Sequence, residues 1–285
     1  MVVLVTGGKG QLGQALQAKA GAYPELQFYF AGSAEADVTS KDSLTAIFTT
    51  LKPAFCINAA AYTAVDKAES EPDRAYAINV TGAKNLAEVC VANNTVLLHV
   101  STDFVFDGSK QIPYTETDVT NPESVYGTTK RDGELAIAAA LNEHYIVRTS
   151  WLYSQYGNNF MKTMLRLGAE RDTLGVVNDQ TGTPTNANDL ASALISIINH
   201  RISHPAVNNF GTYHYSNEGQ CTWYDFAKQI FEIKNIQINL QPILTTAYPT
   251  PAKRPVYSVL NKQKIKNTFS ITIAGWQEAL TNTLQ

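Results

Sequence analysis

Short apolar segments and helix-forming segments alternate through residues 1–150 of this chain of 285 residues. The segments at residues 1–5 and 26–31 are rich in β-branched or aromatic residues and are too short for a helix, which is typical of strands. A strand that recurs after every helix favours parallel βαβ units, with helices on both faces of one sheet. The sequence therefore predicts an α/β fold with a doubly wound, Rossmann-like parallel sheet. Strands are predicted at residues 1–5, 26–31, 54–58, 96–101 and 145–150, and helices at residues 11–20, 41–51, 73–93 and 123–141.

The turn between the first strand and the first helix has the sequence VTGGKGQLG, residues 5–13. Its glycines, Gly7, Gly10 and Gly13, would let the backbone approach a pyrophosphate while N–H groups at the helix N-terminus point toward it. The spacing differs from the G-x-G-x-x-G pattern, and such glycines also fit a plain structural turn. Their place directly after a buried-type strand favours a dinucleotide site.

The alternation loosens after residue 150. Helices are predicted at residues 160–171, 188–199 and 223–234, short strands at 174–177 and 209–215, and a proline-punctuated loop at 248–255. We therefore expect residues 1–150 to form a dinucleotide-binding domain. Residues 151–285 are expected to form mainly a smaller, discontinuous α/β substrate-binding lobe, part of which packs back on the first domain.

Composition argues against several classes of function. The formal net charge is −3 and there is no basic stripe, so nucleic acid and anionic membranes are poor partners, and a small molecule is the expected one. Cys56, Cys90 and Cys221 are too far apart for a zinc motif and are expected to be buried free thiols. The chain shows no signal-peptide pattern and no long apolar run, so we expect a cytoplasmic protein.

Tyr126 and Lys130 lie four residues apart on a predicted helix, so their side chains share one face. A free phenol has a pKa of about 10 and needs a nearby cation to act as an acid or base at neutral pH, which Lys130 would provide. A surface tyrosine one turn from a surface lysine would give the same pattern.

Hydroxyl and small side chains follow two of the predicted strands. Ser101 and Thr102 close the fourth strand, where they could donate hydrogen bonds to a carbonyl oxygen that gains charge or could simply cap the loop. Asn58-Ala-Ala-Ala-Tyr62 ends the third strand with small residues that would let a flat cofactor approach the backbone, although a tight strand-to-loop transition has the same composition. Ligands bind parallel sheets at this edge.

These features occur together, and in order they resemble the extended short-chain dehydrogenase/reductase family: the glycine turn, Asp37-Val38, the small residues after strand three, Ser101-Thr102, and Tyr126-x-x-x-Lys130. Longer segments resemble its nucleotide-sugar reductases over nearly the whole chain. These segments are NAAAYTAVDKAESEP (58–72), STDFVFDG (101–108), VYGTTK (125–130), RTSWLY (148–153), NDQTGTPT (178–185) and YPTPAKRP (248–255).

The resemblance implies reduction of the C4 keto group of dTDP-4-dehydro-L-rhamnose to give dTDP-L-rhamnose, a sugar donor for surface polysaccharide. It implies that Tyr126 donates the proton, that Lys130 lowers the pKa of Tyr126 and holds the nicotinamide ribose, and that Thr102 polarises the carbonyl. Asp103 and Trp151 would face the deoxysugar, with Thr102. The residues implied to bind the cofactor are Gly7, Gly10, Gln11, Leu12, Gly13, Asp37, Val38, Ala59, Ala60, Ala61, Tyr62, Thr63, Val100, Tyr126 and Lys130.

Arg254 is a candidate for the substrate diphosphate because a guanidinium matches phosphate oxygens, although a structural arginine in a proline-rich loop is an equal alternative. At the end of strand two, residues 31–34 read AGSA, with no acidic side chain to repel a 2′-phosphate and no arginine to attract one. We therefore expect NADPH as the cofactor, with a modest preference over NADH, which is also used.

Three other functions compete with this interpretation. A nucleotide-sugar 4,6-dehydratase needs a further acid/base pair, and relatives of that type carry Asp-Glu after the threonine, whereas this chain has Asp103-Phe104. Another nucleotide-sugar enzyme is the second alternative, either an epimerase, which is poorer, or a reductase of a different sugar. A non-catalytic NADP-binding regulatory subunit of similar fold is disfavoured by the presence of Thr102, Tyr126 and Lys130 together.

The resemblance also concerns a metal. Some relatives hold magnesium between two subunits through glutamates near the first helix and after the G-x-P-T turn, where this chain has Ala15 and Asn188. Alanine cannot ligate a metal and a neutral amide is a weak ligand for a hard dication. We expect no metal site, and a monomer or weak homodimer.

Overall fold

The computed structural model describes residues 1–285. A central parallel sheet carries helices on both faces, and a smaller lobe follows it. The strands are β1 (Val2–Thr6), β2 (Gln27–Ala31), β3 (Phe55–Asn58), β4 (Val96–Thr102), β5 (His144–Thr149), β6 (Leu152–Tyr153), β7 (Thr173–Val177), β8 (Thr181–Gly182), β9 (Thr185–Asn186), β10 (Gly211–His214), β11 (Cys221–Thr222) and β12 (Asn239–Ile243). The α-helices are α1 (Gln11–Ala20), α2 (Lys41–Leu51), α3 (Val65–Ala68), α4 (Pro72–Tyr76), α5 (Gly82–Asn93), α6 (Val125–Ala140), α7 (Phe160–Glu170), α8 (Ala187–Ser203), α9 (Trp223–Ile233), α10 (Gln263–Phe269) and α11 (Trp276–Leu284).

Six strands form the central sheet in the order β2-β1-β3-β4-β5-β10, and every neighbouring pair is parallel. The predicted α/β class and doubly wound sheet are therefore confirmed. The strand order reverses at β1, because the chain leaves β1 to β2 on one side and returns to β3 on the other. Ligands of such sheets bind at this switch point, outside the carboxyl ends of the strands.

Alternate residues of β1 supply two separate hydrophobic cores. Val3 and Val5 face one side, where they pack with α1 and α8, and Leu4 faces the other side, where it packs with α2 and α5. A strand buried on both faces needs this continuous apolar run. The three cysteines are buried, as expected, and Cys56 and Cys90 belong to the core on the Leu4 side.

One predicted helix is interrupted. The sequence predicts a single helix at residues 73–93, but the structure has α4, a π-helical turn at Ala77–Thr81, and then α5. In that turn the Asn79 side chain accepts a hydrogen bond from the Tyr62 amide and donates one to Thr129. The extra residue of a π turn thus points a polar side chain at the loop after β3 and at α6, and such turns are frequent at functional sites.

The later part of the chain divides between the sheet and a lobe. The predicted strand at 209–215 forms β10, which extends the central sheet beside β5, and α8 packs on the same sheet. A third core holds the lobe together, with α7, α9 and α11 packed around the parallel pair β7 and β12. Across the whole chain, none of the helices combines the length and the apolar character that a membrane crossing requires.

Candidate active site

A cavity of about 1090 Å³ lies along the carboxyl ends of β1 to β5 and is closed on its other side by the lobe. The glycine turn forms one end of it. Gly7 has a φ of 68°, and a Cβ there would be 2.7 Å from the Ala59 carbonyl group. A Cβ on Gly13 would be 2.5 Å from the Gly8 carbonyl oxygen. The sequence needs glycine at both positions because the turn, α1 and the loop after β3 pack backbone to backbone.

Helix α6 carries Tyr126 to the cavity beside the end of β4. The helix begins after Ser124, whose hydroxyl accepts a hydrogen bond from the Gly127 amide at 3.1 Å. A Cβ on Gly127 would be 2.2 Å from the Phe104 carbonyl oxygen, so only glycine allows α6 to approach this closely. The rings of Phe104 and Tyr126 meet edge to face with centroids 5.5 Å apart. This packing sets Tyr126 against Thr102.

Burial raises the pKa of Tyr126 to about 12, although Thr102 acts in the opposite direction by hydrogen bonding. The Asp103 carboxylate raises it further. Tyr126 is therefore a protonated phenol at neutral pH and can donate a proton. The lowering of its pKa by Lys130 that the resemblance implies is not found, because burial outweighs it.

Lys130 is buried, with a relative exposure of 1%. Its Nζ donates a hydrogen bond to the Val100 carbonyl oxygen at 2.7 Å and contacts His99 Nε2 at 3.1 Å. Burial lowers the pKa of Lys130 to about 8, against the opposing effect of the Glu134 carboxylate. Both Lys130 and Tyr126 line the cavity, as the four-residue spacing predicts.

Asp103 is a buried carboxylate at the wall of the same cavity. Its Oδ1 accepts a hydrogen bond from Thr102 at 3.1 Å, whereas its Oδ2 has no hydrogen-bond partner. Burial raises the pKa of Asp103 to about 6, and hydrogen bonding by Ser258 and then by Thr102 opposes that rise. A buried oxygen without a partner is costly, so this atom is suited to accept a hydrogen bond from a ligand hydroxyl.

Two tryptophans form the wall contributed by the lobe. The rings of Trp151 and Trp223 stack with centroids 3.5 Å apart and planes at 11°, and both residues line the cavity. Trp151 has a φ of 46°, in the left-handed region that is strained for a residue with a side chain. A Cβ on Gly182 would be 2.6 Å from the Trp151 ring. The fold thus holds a strained residue in place by stacking on one side and a glycine on the other.

Arg254 lines the cavity, but its guanidinium is already paired. It forms a two-point ion pair with Asp66, with distances of 3.0 Å and 2.8 Å. The hydrogen bond with Arg254 lowers the pKa of Asp66. The ion pair supports the structural interpretation of this arginine, and its binding of the substrate diphosphate stays a prediction that its place at the cavity wall allows.

Gln11, which the resemblance assigns to the pyrophosphate, has a second set of contacts. Its Oε1 accepts hydrogen bonds from Ser154 at 3.1 Å and from Asn159 at 2.9 Å. Asn159 is also the N-cap of α7. The side chain of Gln11 thus ties the glycine turn to the lobe.

Most of the residues suggested by the sequence meet in the cavity, and two do not. Gly13 lies in the packing beneath the glycine turn, and the Tyr62 hydroxyl donates instead to Glu71 at 2.8 Å. The predicted residues that line the cavity are Gly7, Gly10, Gln11, Leu12, Asp37, Val38, Ala59, Ala60, Ala61, Thr63, Val100, Thr102, Asp103, Tyr126, Lys130, Trp151 and Arg254.

Sequence reasoning missed other lining residues, including Lys9, Ser33, Arg74 and Trp223. Lys9 extends from the glycine turn across the end of β2, where a Cβ on Gly32 would be 3.2 Å from Lys9 Cε. Lys9 could have been found from the sequence, since it lies inside the glycine motif. Trp223 carried no such signal, because only the fold brings it against Trp151.

The two residues at the positions considered for a metal, Ala15 and Asn188, have other contacts in the structure. Ala15 is fully buried in the core between α1 and α8. The Asn188 side chain donates a hydrogen bond to Gln155 at 3.1 Å.

Comparison with known proteins identifies the family of this chain. The family model described as the RmlD substrate binding domain matches residues 1–285. A dTDP-4-dehydrorhamnose reductase of Aggregatibacter actinomycetemcomitans is 45% identical over 98% of this chain and 97% of its own length.

Solved structures give the same result. The crystal structure of a dTDP-4-dehydrorhamnose reductase from Clostridium acetobutylicum matches with a TM-score of 0.94 and 41% identity over 100% of this chain and 98% of that one. The Bacillus anthracis enzyme of the same name, crystallised in complex with NADP, matches with a TM-score of 0.93 and 38% identity over 99% and 98% of the two chains. Since the family model matches the whole chain and the relatives align over nearly all of it, this chain belongs to the RmlD family, together with the dTDP-4-dehydrorhamnose reductases.

Proposed function

We propose that this chain reduces the C4 keto group of dTDP-4-dehydro-L-rhamnose to the hydroxyl group of dTDP-L-rhamnose, using NADPH. The observation that carries the proposal is the grouping of Thr102, Tyr126 and Lys130 around the cavity beside the glycine turn. The identity of 45% to a reductase of this name supports the choice of substrate. The product is a sugar donor for polysaccharide.

Bound NADPH would supply the hydride that adds to C4 of the sugar. Tyr126 then transfers its hydroxyl proton to the former carbonyl oxygen, which becomes the C4 hydroxyl group. The raised pKa of Tyr126 keeps that proton on the phenol until the oxygen gains charge. Thr102 turns its hydroxyl from Asp103 toward the substrate oxygen and stabilises the developing charge.

The Lys130 ammonium offsets the negative charge left on Tyr126. With a pKa of about 8 it is mostly protonated at neutral pH. Its side chain also lies where it can donate a hydrogen bond to a ribose hydroxyl, because Nζ sits at the cavity wall beside Val100.

The chain's residues fit a dinucleotide along the switch point. The glycine turn leaves room for a pyrophosphate, and the alanines after β3 leave room for the cofactor's flat groups. Lys9 is a cation at the end of β2, where a 2′-phosphate would lie, which supports a preference for NADPH.

The lobe is proposed to bind the substrate. The stacked Trp151 and Trp223 offer an apolar face to the deoxysugar or the base, and the free Oδ2 of Asp103 accepts a hydrogen bond from a sugar hydroxyl. Arg254 would donate to the diphosphate while Asp66 holds it in place. Elimination of water is disfavoured, because Phe104 cannot transfer a proton.

The test uses the purified chain with dTDP-4-dehydro-L-rhamnose and either NADPH or NADH. We expect the NADPH absorbance to fall only when the keto sugar is present, with NMR of the product showing the L-rhamnose configuration. Failure to consume either cofactor would overturn the reductase proposal, and a product with the opposite C4 configuration would overturn the assignment of dTDP-L-rhamnose as the product.

A further inference from the structure

A buried chain of hydrogen bonds runs from the end of β1 to Lys130. The Thr6 hydroxyl donates to Asn58 Oδ1 at 2.7 Å, Asn58 Nδ2 lies 2.9 Å from His99 Nδ1, and His99 Nε2 lies 3.1 Å from Lys130 Nζ. All four side chains have a relative exposure of 3% or less. Of these four residues, the proposed mechanism uses only Lys130.

The direction of the bond between Asn58 and His99 is fixed by a backbone group. Besides the Thr6 hydroxyl, the Ala60 amide donates to Asn58 Oδ1, at 3.2 Å. A backbone N–H can only donate, so Oδ1 must face it and the Asn58 NH₂ group must face His99. His99 Nδ1 is therefore the acceptor of that bond.

This assignment decides the tautomer of His99. Burial holds the pKa of His99 well below its ordinary value, with Lys130 adding to the effect, so the ring is neutral and carries one proton. Because Nδ1 accepts from Asn58, that proton is on Nε2 and points at Lys130 Nζ. An amine at Nζ can accept this hydrogen bond while it donates to Val100, whereas an ammonium offers only donors.

We propose that His99 is a positioning residue for Lys130: Asn58 fixes the proton on Nε2, and this N–H faces the Lys130 nitrogen, where it favours the neutral amine over the ammonium. The inference deepens the proposed reductase function and rests on it. Its consequence is that Lys130, an ammonium in the working enzyme, exchanges its proton near neutral pH.

Three other ionisable side chains lie near this chain of hydrogen bonds, and none of them accounts for the preference for a neutral Lys130 amine. Glu134, one turn beyond Lys130 on α6, favours the ammonium, but its carboxylate is paired with Arg148 at 2.6 Å. His144 on β5 is neutral, since burial lowers its pKa. Asp103 acts on Tyr126.

The first test is His99→Phe, which keeps a ring of similar size and removes both hydrogen bonds. We expect the pKa of Lys130 to rise by about one unit, and the alkaline limb of kcat/KM to move upward with it, because the ring N–H no longer opposes the ammonium. His144→Phe is the matched control, because it also removes a buried histidine of the central sheet but has no bond to Lys130. An equal rise in both variants, or no rise in His99→Phe, would overturn the proposal.

The second test is Asn58→Asp. The carboxylate still accepts from Thr6 and Ala60, but it now accepts from His99 as well, so the ring proton moves to Nδ1 and Nε2 accepts from the ammonium. We expect the pKa of Lys130, followed by NMR of its ¹³Cε, to rise by about one unit or more. The alkaline limb of kcat/KM moves upward with it, because activity is lost as Lys130 loses its proton.

The double variant Asn58→Asp/His99→Phe separates the ring from the added charge. If His99 transmits the change, the carboxylate adds little to the rise in the pKa of Lys130 that His99→Phe gives alone. A rise in the double variant equal to the sum of the two single rises, or no rise in Asn58→Asp, would show that the tautomer has no role. The NMR titration needs no turnover, so it fails or succeeds independently of the reductase activity, and thermal unfolding of each variant reports whether it is folded.

Discussion

Burial shifts the pKa of three ionisable side chains at this cavity. It raises the pKa of Tyr126 to about 12 and that of Asp103 to about 6, and it lowers the pKa of Lys130 to about 8. The Tyr126 phenol is thus protonated at neutral pH, and Lys130 is mostly an ammonium. The phenol therefore carries the proton that each turnover would deliver to the substrate oxygen.

Tyr126→Phe tests the proton donor. Removing one hydroxyl leaves the packing of the ring on Phe104 intact, so NADPH Kd should stay unchanged while kcat falls by about 10²- to 10⁴-fold, the contribution of a general acid. Tyr76→Phe, at an exposed position, is the control. A loss of kcat below about threefold would mean that another group donates the proton.

Lys9→Ala tests the cofactor preference. If the Lys9 ammonium binds the 2′-phosphate, loss of that charge-assisted contact should raise KM for NADPH by about tenfold and leave the constants for NADH unchanged. Lys19→Ala, in the last turn of α1, is the matched control. Equal effects on NADPH and NADH would contradict the assignment of Lys9.

At the scale of elements, the local sequence pattern was sufficient to predict a strand or helix whenever the segment's own residues determine its structure. The strands β1 to β5 and the helices between them follow from apolar runs and helical spacing, because each buries a face that its own sequence defines. The π turn at Ala77–Thr81 could not be predicted in this way, because the hydrogen-bond partners of its Asn79 side chain, Tyr62 and Thr129, lie on other elements. The stack of Trp151 on Trp223 was missed for the same reason.

Gly133→Ala tests the close contact between α6 and the π turn. A Cβ on Gly133 would be 2.2 Å from the Asn79 carbonyl oxygen, so the helix must shift away, and we expect a loss of stability of about 1–3 kcal/mol in urea unfolding. Gly21→Ala is the control, since a Cβ there meets nothing within 4 Å and the residue has ordinary helical angles. Equal stabilities of the two variants would show that α6 and the turn adapt without cost.

On the scale of the whole molecule, the sequence predicted which strand ends would meet, because parallel strands bring their carboxyl ends to one edge. It could not show that β10 joins the central sheet or that Gln11 bonds to Ser154 and Asn159, since those pairings join residues far apart in the chain. The hydrogen bonds to Gln11 therefore connect the lobe directly to the glycine turn.

The last prediction concerns metal dependence and assembly. Ala15 is fully buried and has no ligating atom, and Asn188 offers a neutral amide that is bonded to Gln155. A hard dication prefers carboxylate oxygens, so these positions cannot form a metal bridge between two subunits. We expect EDTA to leave kcat unchanged and light scattering to show a monomer, or a weak homodimer whose mass does not depend on the chelator. The matched test is Asn188→Glu, which should bind no magnesium on its own because Ala15 supplies no second ligand. A dimer of the original chain that dissociates in EDTA would contradict the prediction and direct attention to other acidic residues.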